Sequence, residues 1–256
     1  MRTAGAVGLV TGGASGLGEG VVRMLVDRGG RAAILDLPRS RGAELAAELG
    51  DAAGFFPADV TDDEQTGAAV RDAVAQFGRL DLCVNAAGIS LPARVVARDE
   101  TLFPMELFRR IVDINLIGTF TVTRHAALHM GHNTPAADGE CGLIVNVASI
   151  AAFEGQLGQT AYAASKGAVV ALTLPLAREL SSRGIRVMTI CPGVMDTPMV
   201  AATPDKVRAA LAESPLFPHR LGTPADFAAL VAAFMENVLL NAEVVRLDAG
   251  TRLAGR

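Results

Sequence analysis

The stretch "AVGLVTGGASGLG" runs from Ala6 to Gly18. Its first half is an apolar run of strand length, and its second half is a glycine-rich turn that opens a helix. Gly12, Gly16 and Gly18 are separated by three residues and then by one. Glycine at these points permits a tight turn, a close backbone approach to a pyrophosphate, and a helix N-terminus aimed at it. Such a turn also occurs as a plain structural loop, so its surroundings decide its meaning. Here strand, turn and helix follow in the order that phosphate binding requires.

Outward from this stretch, apolar runs alternate with amphipathic ones to the end of the chain. Strands are expected at Ala6–Val10, Ala32–Asp36, Ala53–Pro57, Leu80–Asn85, Leu143–Ala148, Ile185–Ile190 and Glu243–Leu247. Helices are expected at Gly16–Arg28, Arg41–Leu49, Asp62–Phe77, Pro104–Met130, Ala161–Ser182, near Asp205–Ala212 and at Pro224–Glu236. Strands that are apolar throughout and separated by helices form a parallel sheet covered on both faces. Right-handed crossovers then make a doubly wound α/β Rossmann fold of seven strands, one domain over residues 1–256. Two connections are long: Ser90–Phe103, on the carboxyl-end side where ligands bind, and Gly131–Gly142, on the opposite side. The Pro- and Ala-rich loop Met195–Leu216 is expected to close over a substrate.

Composition excludes several classes. The chain has 256 residues, half of them apolar, and a net charge of −4 spread along its length. It carries no basic run of the kind that binds nucleic acid. Its longest apolar runs fall short of the roughly 18 residues that span a bilayer. Met1 lies close to the first strand, which leaves no room for a targeting peptide. Cys83, Cys141 and Cys191 are odd in number and far apart, as reduced residues are. A cytoplasmic protein is the expectation. His125, His129 and His132 mimic a metal spacing, but no acidic residue or Cys converges with them, so no metal is expected.

Asp36 ends the second strand, eighteen residues after Gly18. That is close to the spacing of about 20 at which a carboxylate accepts from the adenosine ribose hydroxyls and repels a 2′-phosphate. The reading favours NAD; the alternative is an Asp that caps the turn before Pro38. "ADV" (Ala58–Val60) and "NAAG" (Asn85–Gly88) also fall at strand ends that face a cofactor. Asp59 could reach the adenine, or could cap a helix beside Thr61.

Tyr162 is the only tyrosine, and Lys166 is one of two lysines against 21 arginines. Positions i and i+4 share a helical face, so the ammonium lies beside the phenol and favours the phenolate. A hydroxyl able to lend and take a proton is what carbonyl/alcohol redox chemistry needs. Ser149, thirteen residues upstream at a strand end, can polarise a substrate oxygen. Asn115 falls on the apolar stripe Ile111, Gly118, Val122, where a buried amide needs partners. A local distortion of the helix would free a carbonyl to hold a water against Lys166; a satisfied core Asn is the alternative.

In these motifs the chain resembles the short-chain dehydrogenases/reductases over essentially its whole length. "TGGASGLG", "NAAG", Asn115, Ser149, "YAASK" and "PG" (Pro192–Gly193) appear in order. Within that family, "MGHNTP", "AAFEGQLGQTAYAASKG" and "GIRVMTICPG" are similar to the subgroup acting on 3-hydroxyacyl-CoA and hydroxysteroids. The resemblance implies an NAD-dependent dehydrogenase converting a secondary alcohol, most simply a (3S)-3-hydroxyacyl-CoA, to a ketone. It implies Tyr162 as acid/base, Ser149 as orienter of the substrate oxygen, Lys166 on the nicotinamide ribose and Asn115 in a proton relay. It assigns Gly12, Ser15, Gly16, Leu17, Gly18, Asp36, Asp59, Val60, Asn85, Ala86, Gly88, Pro192, Met195 and Thr197 to the cofactor. Gln156 and Gln159 fall to the substrate, and the family implies a homotetramer. A 3-oxoacyl-carrier-protein reductase and a non-catalytic scaffold are the alternatives.

Overall fold

In the computed structural model, residues 1–201 and 211–255 are described. Seven strands form one parallel sheet: β1 Val7–Thr11, β2 Arg31–Asp36, β3 Ala53–Pro57, β4 Leu82–Asn85, β5 Gly142–Val147, β6 Ile185–Pro192 and β7 Val244–Leu247. Their spatial order is β3-β2-β1-β4-β5-β6-β7. The winding reverses between β1 and β4, where Thr11 pairs with Asn85. A crevice opens at that reversal, beyond the carboxyl ends of the strands.

Helices cover both faces: α1 Gly16–Asp27, α2 Gly42–Leu49, α3 Asp63–Phe77, α4 Met105–Val112, α5 Thr119–Met130, α6 Ala151–Glu154, α7 Thr160–Leu180, α8 Pro198–Ala201 and α9 Pro224–Glu236. Alternate strand residues point to opposite faces, so β1 sends Val10 to one core and Leu9 to the other. The first core joins Val10, Ile34 and Leu82 to Val22 of α1 and Phe227 and Phe234 of α9. The second joins Leu9, Leu35 and Cys83 to Val70 of α3, Val122 of α5 and Leu176 of α7. Helix α1 crosses α9 so closely that a Cβ on Gly20 would sit 2.7 Å from Pro224.

The expected strands are all present, with ends moved by one or two residues. The expected helix Pro104–Met130 is one rod with a fault in it. Residues Asp113–Gly118 between α4 and α5 form a π-helical turn. The short helix expected near Asp205–Ala212 lies largely outside the described residues, as does the middle of the Met195–Leu216 loop. Two helices among the described residues went unforeseen: α6, a single turn directly after Ser149, and α8, a single turn at Pro198–Ala201.

Candidate active site

The glycine turn fits closely around its own backbone. Gly12 (φ +62°) and Gly16 (φ +54°) take a conformation that L side chains rarely adopt. A Cβ on Gly12 would sit 3.0 Å from the Ala87 backbone, and one on Gly18 would overlap the Gly12 carbonyl. Thr11 Oγ1 accepts from Ala87 N at 3.0 Å and ties this turn to the end of β4. Asp36 completes the turn's edge: Oδ2 accepts from Ala14 N at 3.1 Å and Oδ1 from Leu37 N at 2.8 Å. The result is a cradle with no side chain in it, flanked by a fixed carboxylate, which suits a dinucleotide pyrophosphate and ribose.

From this cradle a cavity of about 580 Å³ runs across the crevice. Gly12, Ser15, Gly16, Leu17, Gly18, Ala86 and Gly88 line it, together with Ser149, Gln156, Gln159, Tyr162 and Lys166 and with Pro192, Met195 and Thr197. Thr197 lies over the turn, 3.5 Å from where a Cβ on Gly16 would be.

Of the residues predicted from sequence, five lie elsewhere or only border the cavity. Asp36 is at the edge of the turn. Asp59 accepts from Thr61 N at 3.0 Å and Thr61 Oγ1 at 2.8 Å in the turn before α3; the cap expected of it falls instead to Asp62, which accepts from Gln65 N at 3.0 Å. Val60 is buried and its side chain stands against Gly118 of the π turn. Asn85 is buried, with Nδ2 donating to Thr123 Oγ1 and Asn146 Oδ1 at 2.9 Å each, so its amide joins β4 to β5 and α5.

Asn115 is the fifth, and it is fully buried on the π turn. Its Oδ1 accepts from Ile89 N at 2.9 Å, and its Nδ2 donates to Ile89 O and Ser165 Oγ at 3.0 Å each. The helix is distorted at this point, and the amide is satisfied as a core Asn would be. Its carbonyl accepts from Thr119 Oγ1 at 2.8 Å. Gly88 fits between Asn115 Oδ1 and Lys166 Nζ, which stand 3.2 and 3.4 Å from where its Cβ would be.

Lys166 is buried and donates from Nζ to Val147 O at 2.7 Å. Nζ lies 5.9 Å from the centre of the Tyr162 ring. Burial pulls the ammonium down to about 8. Burial also pushes the Tyr162 phenol above its ordinary value, against a smaller lowering by the Ser149 hydroxyl. This corrects the expectation that Lys166 leaves the phenol lowered. In the ligand-free chain desolvation of the phenolate is the larger effect. Ser149 Oγ accepts from Ala151 N at 3.1 Å, which fixes the hydroxyl at the start of α6.

The sequence reading missed Leu253, which also lines the cavity. It belongs to a short C-terminal segment with no periodicity to mark it. His125, part of the apparent metal spacing, contacts Asp63 Oδ1 through Nε2 at 2.8 Å.

The family model for short chain dehydrogenases matches residues 6–208. The 3-hydroxyacyl-CoA dehydrogenase type-2 of Drosophila melanogaster is 51% identical over 249 residues, covering 97% of this chain and 98% of that protein. Its human counterpart is 48% identical over 251 residues, covering 97% and 96%. A crystal structure of 3-hydroxyacyl-CoA dehydrogenase type-2 from Mycobacterium avium superposes with a TM-score of 0.92 at 43% identity, covering 98% of each chain. This chain belongs to the short chain dehydrogenase family. It is an oxidoreductase, and the family's chemistry runs on a nicotinamide cofactor.

Proposed function

We propose that this chain is an NAD-dependent dehydrogenase that interconverts (3S)-3-hydroxyacyl-CoA and 3-oxoacyl-CoA in fatty-acyl metabolism. The observation that carries the proposal is the convergence of Ser149, Tyr162 and Lys166 in a cavity continuous with the glycine cradle. The names of the relatives supply the thioester. Hydroxysteroids are further secondary alcohols for the same apolar site.

NAD, when bound, supplies the acceptor for the hydride leaving the alcohol carbon. Gly12, Ser15, Gly16, Leu17 and Gly18 would cradle its pyrophosphate, Asp36 would hold the adenosine ribose, and Asp59 and Val60 would flank the adenine. Ala86, Gly88, Pro192, Met195 and Thr197 would border the rest of it, with Asn85 buried behind them holding the end of β4 to β5 and α5. Ser149 holds the substrate oxygen while Tyr162 takes the hydroxyl proton, and Gln156 and Gln159 border the acyl group. Lys166 binds the nicotinamide ribose. The Lys166 ammonium, together with the positive charge an oxidised nicotinamide would bring, would favour the Tyr162 phenolate against desolvation. Asn115 supports proton supply through the π turn.

NAD is favoured over NADP by the Asp36 carboxylate, which is held at the edge of the glycine turn and would repel a 2′-phosphate. Arg41, a base near enough in sequence to matter, is turned to Glu19 at 3.3 Å. A homotetramer is supported by the exposed apolar residues Ile117, Phe120 and Leu128 on the α4–α5 rod and Leu174 on α7. A cytoplasmic location is supported by three unpaired, buried cysteines. Among the described residues no helix is long and apolar enough to cross a membrane. We read residues 1–256 as one catalytic domain, with the 195–216 loop as its cover.

The test is absorbance-monitored reduction of acetoacetyl-CoA with NADH and with NADPH. Turnover with NADH, at least tenfold faster at equal concentration, is expected. Turnover with NADPH alone would overturn the reading of Asp36 and favour the carrier-protein reductase. Turnover with neither would favour a scaffold.

A further inference from the structure

Glu154 ends α6, five residues after Ser149, and its carboxylate is divided between two parts of the C-terminus. Oε1 accepts from Arg246 Nη1 at 2.8 Å, and Oε2 accepts from Leu253 N at 2.8 Å. Two residues on, Gln156 Nε2 donates to Ala254 O at 3.1 Å. The backbone on either side of the Leu253 side chain is thus fastened to the segment that follows the catalytic serine.

Arg246 makes that fastening rigid. From β7 it donates through Nε to Asp248 Oδ2 at 2.7 Å and through Nη2 to Thr251 O at 3.0 Å. Its guanidinium lies over the Phe153 ring, 5.7 Å from the centroid. A planar fork with donors on three edges can hold α6, the strand end and the strap at once, which a lysine could not do. Glu154 and Arg246 are each about a quarter exposed, so the pair works in a partly dry setting. These bonds do nothing for proton transfer. Their product is the position of one apolar side chain, Leu253, on the cavity wall with Gln156 and Leu157.

We propose that Leu253 sets the size of the apolar group accepted on the reacting carbon, with Glu154 as the residue that positions it. This rests on the acyl-CoA reading above and names its specificity element. An apolar wall discriminates by fit, so the volume at this position selects chain length while leaving the chemistry alone. The reaction that supplies this substrate must then leave a hydroxyl on the third carbon of a thioester whose chain matches the Leu253 wall.

The experiment measures kcat/KM of the full chain with NADH on acetoacetyl-, 3-oxohexanoyl- and 3-oxodecanoyl-CoA. Leu253→Ala is expected to raise the ratio of the longest to the shortest substrate about tenfold, and Leu253→Phe to lower it by a similar factor. Both changes should appear in KM more than in kcat. Glu154→Ala should shift the ratio as Leu253→Ala does. Glu154→Gln, which keeps one acceptor for Leu253 N and loses the one facing Arg246, should shift the ratio less than Glu154→Ala does. A wild-type chain inactive on all three thioesters overturns the substrate reading and this inference together. Wild-type activity with an unchanged ratio in both Leu253 variants overturns this inference alone.

Discussion

On the β1–β3 side of the crevice the site is made of backbone. Glycines leave space, peptide N–H groups supply the donors, and the carboxylate of Asp36 is itself held by two of them. On the β4–β6 side it is made of buried polar side chains in mutual contact. Asn85 bonds Thr123 and Asn146, Asn115 bonds Ser165, Lys166 bonds a strand carbonyl, and Thr173 meets Thr189 at 2.7 Å. The first side is crowded where it is closest, and added volume should break it. The second faces an open cavity, and loss of a polar group should break it.

The largest effect expected from that contrast is on the second side. Tyr162→Phe keeps the ring and removes only the oxygen, so packing around it is preserved. Loss of the acid/base group should lower kcat about a thousandfold. NADH affinity, measured by fluorescence titration, should hardly change. If affinity falls with turnover, the phenol is part of the binding framework and the two sides are not separable.

Next in size is a change on the first side that alters no polar group. Gly18→Ala adds one methyl group that overlaps the Gly12 carbonyl. The turn must open to admit it, and the backbone donors lose their common aim. NADH affinity should fall about a hundredfold, a loss comparable to two or three charge-assisted hydrogen bonds. Unchanged affinity would show that side chains, Asp36 above all, do the holding there.

The same contrast explains what could be read from the sequence. The cradle was legible because glycine is the only residue for such a fit, and its spacing is fixed by one turn of chain. Tyr162 and Lys166 were legible because helical geometry converts a four-residue interval into a shared face. Asn115 was legible only as a conflict, a polar residue on an apolar stripe. The π turn resolved that conflict, and sequence periodicity has no pattern for a single turn with one extra residue. Leu253 was not legible at all. It reaches the cavity through Glu154 and Arg246, which lie 99 and 7 residues away in the chain, and no local signal records such a clasp. The sign of the Tyr162 shift was missed for a related reason. Spacing shows that the cation is near, but how dry both groups are depends on the whole fold.

That dryness gives the smallest effect of the three, one that leaves the reaction untouched. Lys166 titrates at about 8 in the folded, ligand-free chain against an ordinary 10.5. Below pH 8 both folded and unfolded chains carry the proton, and the folded one bears the full cost of a buried charge. Between pH 8 and 10.5 the folded chain releases the proton and the unfolded chain keeps it. The unfolded state then binds more protons, so stability rises with pH across this window. Burial holds Tyr162 up as well, and pushes Cys191 to about 11 and Cys83 to about 12, so these groups act with the opposite sign at alkaline pH. They are present in Lys166→Met too, where Cys191 loses only the smaller lowering that Lys166 gives it, so the difference between the two proteins is set mainly by the lysine. Relative to Lys166→Met, the melting temperature of the wild type should climb by about 5 °C from pH 8 to 10.5. A flat difference would mean that the ammonium stays charged at no cost. The hydrogen bond to Val147 O would then outweigh desolvation, and the catalytic side would be as well solvated by its own backbone as the cradle is.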